Sequence, residues 1–109
     1  MEKIFNKLVR DNIPSIIENN NEVAIIKTLN EEEFRVELLK KLQEECTEVV
    51  SAKSKEEFLE ELADVLEIIN TLAKLENKTL DDITCIAAKK CEKRGSFEKR
   101  IFLEKTYTK

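Results

Sequence analysis

Apolar side chains recur at helical spacing through the centre of the chain. Between Asn30 and Ala52 they gather on one side of a helix. When each residue advances by about 100° around the axis, five of them lie within about 80° of Leu42: Leu38, Leu39, Cys46, Val49 and Val50. Asn30 can cap this helix, and Glu33 follows at the capping-box spacing. The pattern therefore predicts a long helix that ends at about Ala52.

Two further long helices follow. Ser54 and Glu57 stand in the capping-box relation, and the apolar pattern behind them continues to about Glu76. A third helix begins after Thr79 and stops before Gly95. Its first turn is acidic and its last turn basic, which suits the helix dipole.

The remaining segments are shorter. "RDNIPSIIENN" predicts a short helix that starts at Asp11 or Asn12, with Pro14 in its first turn. Residues 23–29 and 100–106 are rich in β-branched side chains, and we expect them to pair as a small two-stranded ribbon against the helices. The predicted fold is a mainly all-α helical bundle in a single domain, residues 1–109.

The apolar arc of the second long helix is unusually wide. A stripe of roughly 100° is enough to pack against one neighbour, yet this arc covers close to twice that by the same count: Leu59, Leu62, Val65, Leu66, Ile68, Ile69 and Leu72. Three helices in a short chain leave part of it uncovered. We therefore expect a homodimer at least, with this helix at the contact.

Acidic residues interrupt the apolar faces of the first two long helices. Glu45 falls inside the first stripe, and Glu48 lies at its edge, about 60° away. On the second helix Glu61 interrupts the arc and Asp64 flanks it. The short connection "SAKSK" indicates an antiparallel pair, which would bring these four carboxylates together. Such a cluster needs a cation, and oxygen ligands favour Mg²⁺.

Composition narrows the chemistry. The chain of 109 residues has no histidine, which excludes Ser-His and Cys-His catalysis and removes the commonest zinc ligand. With 19 basic and 23 acidic residues, the net charge of −4 argues against a nucleic-acid polymer as partner. The three cysteines form no CxxC pair and are expected to be reduced thiols packed as apolar residues. Without a signal peptide or a long apolar run, a cytoplasmic protein with no membrane contact is expected.

The third helix carries candidate phosphate ligands. Lys90 and Arg94 share one side at i and i+4, continuing its apolar face. Beside a carboxylate-bound Mg²⁺ they would suit a polyphosphate. Acids on a helix are usually solvated, and a basic helix end usually complements the dipole. Two acid pairs at i and i+3 on consecutive antiparallel helices nevertheless favour a metal site over a solvated acidic surface.

These motifs resemble a known superfamily. "EECTEVV" and "EELADVLEII" are similar to the EExxE and ExxD signature of the MazG-like, all-α nucleoside triphosphate pyrophosphohydrolases. "NKLVRDNIP" and "KKCEKRGSFEKRIFLEK" resemble the ends of its small stand-alone branch. That branch comprises house-cleaning enzymes and relatives of phosphoribosyl-ATP pyrophosphohydrolase, and the resemblance spans nearly the whole chain.

The resemblance implies a helical bundle that assembles as a dimer or dimer of dimers. It implies hydrolysis of the α,β bond of a nucleoside triphosphate, non-canonical ones included, to monophosphate and pyrophosphate with Mg²⁺, for which Mn²⁺ can substitute. The metal ligands carried over are Glu45, Glu48, Glu61 and Asp64, and Glu44 completes the first motif as a further catalytic residue. Either Glu44 or a ligating acid would orient or deprotonate the attacking water.

The resemblance assigns basic residues more loosely. Lys90 and Arg94 match positions that face phosphate in the family. Lys7 and Arg10 belong to the opening motif, and either contact substrate or fix the N-terminal helix by salt bridges. Two other functions remain open: hydrolysis of phosphoribosyl-ATP itself, and a catalytically silent helical dimerisation module.

Overall fold

The computed structural model describes residues 1–109 and contains helices as its only regular secondary structure. There are four of them: α1 (Ile13–Asn19), α2 (Glu31–Ser51), α3 (Lys55–Leu75) and α4 (Leu80–Arg94). The predicted all-α class is confirmed, and the ends of each helix agree with the capping residues in the sequence.

Side-chain caps start the three long helices, α2, α3 and α4. The Asn30 side chain accepts a hydrogen bond from the Glu33 N–H at 2.9 Å, and the Glu33 carboxylate accepts one from the Asn30 N–H at 3.1 Å. This reciprocal pair satisfies two N–H groups that the first turn of α2 leaves free. At α3 only half of the expected box forms. Ser54 accepts from the Glu57 N–H at 3.1 Å, whereas the Glu57 carboxylate accepts from the Lys53 N–H at 3.3 Å.

α2 and α3 form an antiparallel pair. Arg35, near the start of α2, donates to Glu76 at the end of α3 at 3.0 Å. The chain reverses over only three residues, 52–54, between the two helices. The buried apolar residues of the chain are Leu38 on α2 and Ile68 and Ala73 on α3. The α2–α3 pair carries the predicted acidic residues Glu45, Glu48, Glu61 and Asp64.

α4 leaves the pair after its first turns. The C-terminus of α3 closes with Asn77 in the left-handed region at φ 58°, and the Lys78 N–H returns to the Ala73 carbonyl at 2.9 Å. Asparagine tolerates this conformation better than most residues do. Leu80 and Ile83 of α4 are half-buried, and every residue after Ile83 is exposed. Most of α4 therefore has no packing partner within the chain.

The predicted ribbon is wrong. Residues 22–30 and 95–109 contain no strand, and no backbone hydrogen bond joins them. Most of their apolar side chains are open to solvent, as Ile25 and Phe102 illustrate at 91% and 88% exposure. A two-stranded ribbon is marginal by itself, and no helix of the chain covers these segments.

Much apolar surface stays open. Leu59, Leu62 and Leu66 share one face of α3 and are each 42% exposed or more, whereas Ile68 of the same predicted arc is buried. The radius of gyration is 18.9 Å, against about 13 Å for a compact domain of this length. The accessible surface is 10486 Å², against roughly 6,200 Å² for a compact monomer of this mass.

The cysteines differ from the expectation in one respect. Cys46, Cys85 and Cys91 are free thiols, and all of them are exposed instead of packed as apolar residues. For Cys85 and Cys91 the reason is that α4 has left the helix pair before it reaches them. None of the helices has the length and apolar character needed to cross a membrane.

Candidate active site

Three carboxylates meet between α2 and α3. One oxygen from each of Glu45, Glu61 and Asp64 lies within 4.8 Å of the other two. Glu45 is 9% exposed and is the one charged residue among the buried side chains, and the other two are half-buried. The antiparallel pairing brings them together because Glu45 lies on the inner stripe of α2, opposite the turn of α3 that carries Glu61 and Asp64.

The other two acids of the first motif lie outside this trio. Glu48 is exposed, one turn beyond Glu45, yet its charge contributes to the raised pKa of Glu61. Glu44 is also exposed and lies 3.4 Å from the Lys41 ammonium group. The roles of Glu48 as metal ligand and of Glu44 as catalytic acid stay predictions.

The proximity of the acids changes the protonation of Glu61. A hydrogen bond shared with the Glu45 carboxyl group, with partial desolvation, raises the pKa of Glu61 from 4.5 to about 7. The negative charges of Glu45, Asp64 and Glu48 act in the same direction. Like charges held together favour the protonated form of one of them. A proton at Glu61 therefore relieves repulsion that a metal ion would also relieve.

Two cations pair with acids of this cluster. Arg10 donates through Nη2 to Asp64 Oδ1 at 2.7 Å. The Lys41 Nζ lies 3.6 Å from Glu45 Oε1, as well as 3.4 Å from Glu44. Lys41 is not among the residues predicted from the sequence, although its spacing of i, i+4 to Glu45 indicates this contact. The sequence predicts a role for Arg10 only through the opening motif. Its contact with Asp64 depends on how the N-terminal segment packs against α3.

The other predicted substrate ligands lie elsewhere in this structure. Lys90 and Arg94 make no ion pair with the acids. They line an open depression at the end of α4 together with Gly95, Phe97 and neighbouring residues, none of them an acid. The Lys7 ammonium group lies 5.7 Å from the centre of the Phe5 ring. Within one chain, only Arg10 of the four predicted substrate ligands contacts the carboxylates.

The donor set of the trio fits a hard divalent cation. All of its ligand atoms are carboxylate oxygens, which Mg²⁺ and Mn²⁺ prefer over zinc or copper. Oxygens on one Mg²⁺ lie at most about 4 Å apart, so a spread of up to 4.8 Å closes with small side-chain rotations. Arg10 and Lys41 already bring positive charge to this cluster, as such an ion would.

The sequence matches one protein family. Residues 9–91 match the family described as phosphoribosyl-ATP pyrophosphohydrolase, a range that includes Arg10, both acidic pairs and Lys90. No curated protein and no solved structure matches the chain. The chain belongs to this family and, through it, to the MazG-like all-α pyrophosphohydrolase superfamily that its motifs resemble. Family membership implies a pyrophosphohydrolase with a nucleotide substrate.

Proposed function

We propose that this member of the phosphoribosyl-ATP pyrophosphohydrolase family hydrolyses the α,β-phosphoanhydride bond of a nucleoside triphosphate to nucleoside monophosphate and pyrophosphate. Mg²⁺ is the proposed cofactor, and Mn²⁺ can replace it. One observation carries the proposal: carboxylates of Glu45, Glu61 and Asp64, from two packed helices, approach within 4.8 Å of one another in a chain of this family.

Each acid has a proposed task. Glu45, Glu61 and Asp64 hold the divalent cation, and Glu48 reaches it from the next turn of α2 as a fourth ligand. The cation supplies neutralisation of phosphate charge and a lowered pKa for bound water. The nearly buried Glu45 is held by its helix and by Lys41, so it presents its oxygens in a fixed position.

The reaction is a displacement at the α-phosphorus. The oxygen of a water molecule forms a bond to that phosphorus while the bond to the bridging oxygen breaks, and pyrophosphate leaves. Glu44 or one of the ligating acids takes the proton from the water. Cationic side chains balance the phosphate charge, and the proposed set is Lys7, Arg10, Lys90 and Arg94.

Two candidate substrates fit this reaction. The matched family is described by phosphoribosyl-ATP, whereas the two ends of the chain resemble the house-cleaning branch, which acts on non-canonical nucleoside triphosphates. Both contain the same scissile bond, so the same acids serve either one. The family match weighs against the silent dimerisation module.

A single panel assay separates these alternatives. Pyrophosphate release is measured with Mg²⁺ on phosphoribosyl-ATP, on the canonical nucleoside triphosphates and on damaged ones, each with a chelated control. A kcat/KM for phosphoribosyl-ATP at least tenfold above all others identifies that substrate. A kcat/KM for a damaged nucleoside triphosphate at least tenfold above that for phosphoribosyl-ATP identifies a house-cleaning enzyme. No release from any nucleotide, with and without Mg²⁺ or Mn²⁺, would overturn the proposal.

The proposed functional unit is a homodimer or a dimer of dimers. The open face of α3 at Leu59, Leu62 and Leu66 supports it, as does a radius of gyration well above that of a compact monomer. A partner chain would cover this face, and two acids of the trio, Glu61 and Asp64, lie on the same helix.

A further inference from the structure

Arg10 is the one residue outside α2 and α3 that forms an ion pair with an acid of the trio. It precedes α1, and its Nη2 lies 2.7 Å from Asp64 Oδ1. This is the single side-chain hydrogen bond that the guanidinium group makes. The Arg10 side chain is 60% exposed, so its remaining N–H donors face solvent beside the carboxylates.

We infer that Arg10 is a substrate-binding residue that bridges Asp64 and a phosphate group of the nucleotide. One nitrogen stays on Asp64, and the free donors of the planar guanidinium group take phosphate oxygens. The contact with Asp64 orients the group before substrate arrives, so less side-chain freedom is lost on binding. The inference rests on the proposed function, and it names the residue that links phosphate binding to the acids.

The other cations near the acids are less suited to this role. Lys41 is only 21% exposed and lies between Glu44 and Glu45, so both acids already engage its ammonium group. Lys90 lines a depression that contains none of the acids. An ammonium group also lacks the planar fork with which arginine binds phosphate oxygens through two parallel hydrogen bonds.

Binding measurements on the full chain test the inference without turnover. Mn²⁺ alone, and then pyrophosphate in the presence of Mn²⁺, are titrated calorimetrically into the wild type and Arg10→Gln. We expect pyrophosphate affinity to fall at least about tenfold, the usual scale for a lost charge-assisted hydrogen bond. Mn²⁺ affinity without pyrophosphate should stay within a few-fold or rise, because a competing cation leaves Asp64. The melting temperature should barely change, since the pair is solvent-accessible.

Arg35→Gln is the matched control. Arg35 forms an ion pair of the same kind, with Glu76 at 3.0 Å and both side chains exposed, away from the trio. It should leave both affinities unchanged. The inference is overturned if Arg10→Gln weakens pyrophosphate binding no more than Arg35→Gln does. It is equally overturned if Mn²⁺ binding alone weakens as much as pyrophosphate binding, because Arg10 would then only position Asp64. A wild type that binds neither probe would instead overturn the proposed function.

Discussion

Glu45 is the residue on which the site depends. A carboxylate with 9% exposure is costly unless it is paired. This one is flanked by Lys41 at 3.6 Å and lies beside Glu61, whose pKa its proximity raises to about 7. The metal-free chain thus compensates its buried acid with groups already present. A carboxylate must lose its proton to ligate a cation, so we expect metal binding to release protons near neutral pH, where Glu61 is partly protonated.

The raised pKa of Glu61 predicts a pH dependence of stability in the metal-free chain. Below about pH 4.5 the group is protonated in both the folded and the unfolded chain. As the pH rises towards about 7, the unfolded chain loses this proton while the folded chain keeps it, so the free energy of unfolding falls. Above about pH 7 this loss is complete.

Glu61→Gln should remove this dependence, because glutamine is neutral at every pH. Urea denaturation with a chelator present should find the variant more stable than the wild type at pH 7.5, with the difference vanishing towards pH 4.5. A difference that is constant across this range would contradict the raised pKa of Glu61.

Helical spacing was sufficient to find Glu45, Glu61 and Asp64, since positions on two antiparallel helices follow from the angle per residue. Side-chain partners were not predictable in the same way. The contact of Arg10 with Asp64 joins residues 54 positions apart and depends on the course of an irregular segment. Lys90 and Arg94 were placed on the correct helix, but the sequence did not reveal that α4 diverges from α3.

At the scale of elements, short-range capping governs where helices begin. α2, α3 and α4 each start at a residue whose side chain accepts a hydrogen bond from the first turn, and these starts were predicted from the sequence. The ribbon prediction failed because strand propensity alone does not form a sheet: residues 23–29 and 100–106 have no third strand or helix to bury their apolar side chains. Capping signals local to the sequence predicted the helices. Whether the two β-prone segments form strands depends on packing partners elsewhere in the chain, which they lack.

Asn30→Ala tests the cap of the helix that carries Glu45. Loss of the reciprocal hydrogen bonds with Glu33 should lower the free energy of unfolding by about 1 kcal/mol. Asn12→Ala is the control, because Asn12 occupies the same position at α1 without a side-chain cap. Chemical denaturation should separate the two variants, and equal losses would show that capping is not the cause.

At the scale of the whole molecule, the chain buries little of itself. Four residues are buried, too few for a core that sustains a domain of this length. The face of α3 at Leu59, Leu62 and Leu66 is left open next to the site. We therefore expect assembly and folding to be coupled, as is usual for obligate homodimers.

Leu62→Asp should dissociate the proposed dimer. It places a carboxylate at the centre of the open face of α3, and burying that charge in the interface without a counter-ion is costly. Light scattering after size exclusion, at micromolar concentration, should give the dimer mass or a multiple of it for the wild type and a smaller mass for the variant. Leu62→Met is the control and should keep the assembly, because it preserves the apolar surface. A monomeric wild type at this concentration would refute the dimer.

The central claim is that the acidic trio is the catalytic centre, and Asp64→Asn tests it most directly. The amide keeps the shape of the side chain but removes the negative charge from a proposed metal ligand. Pyrophosphate release with Mg²⁺, on the best substrate of the panel, should fall at least about 100-fold, because several kcal/mol of transition-state stabilisation depend on the cation. Glu92→Gln, at an exposed acid of α4, should keep the wild-type rate. A folded Asp64→Asn that turns over as fast as Glu92→Gln would contradict the assignment.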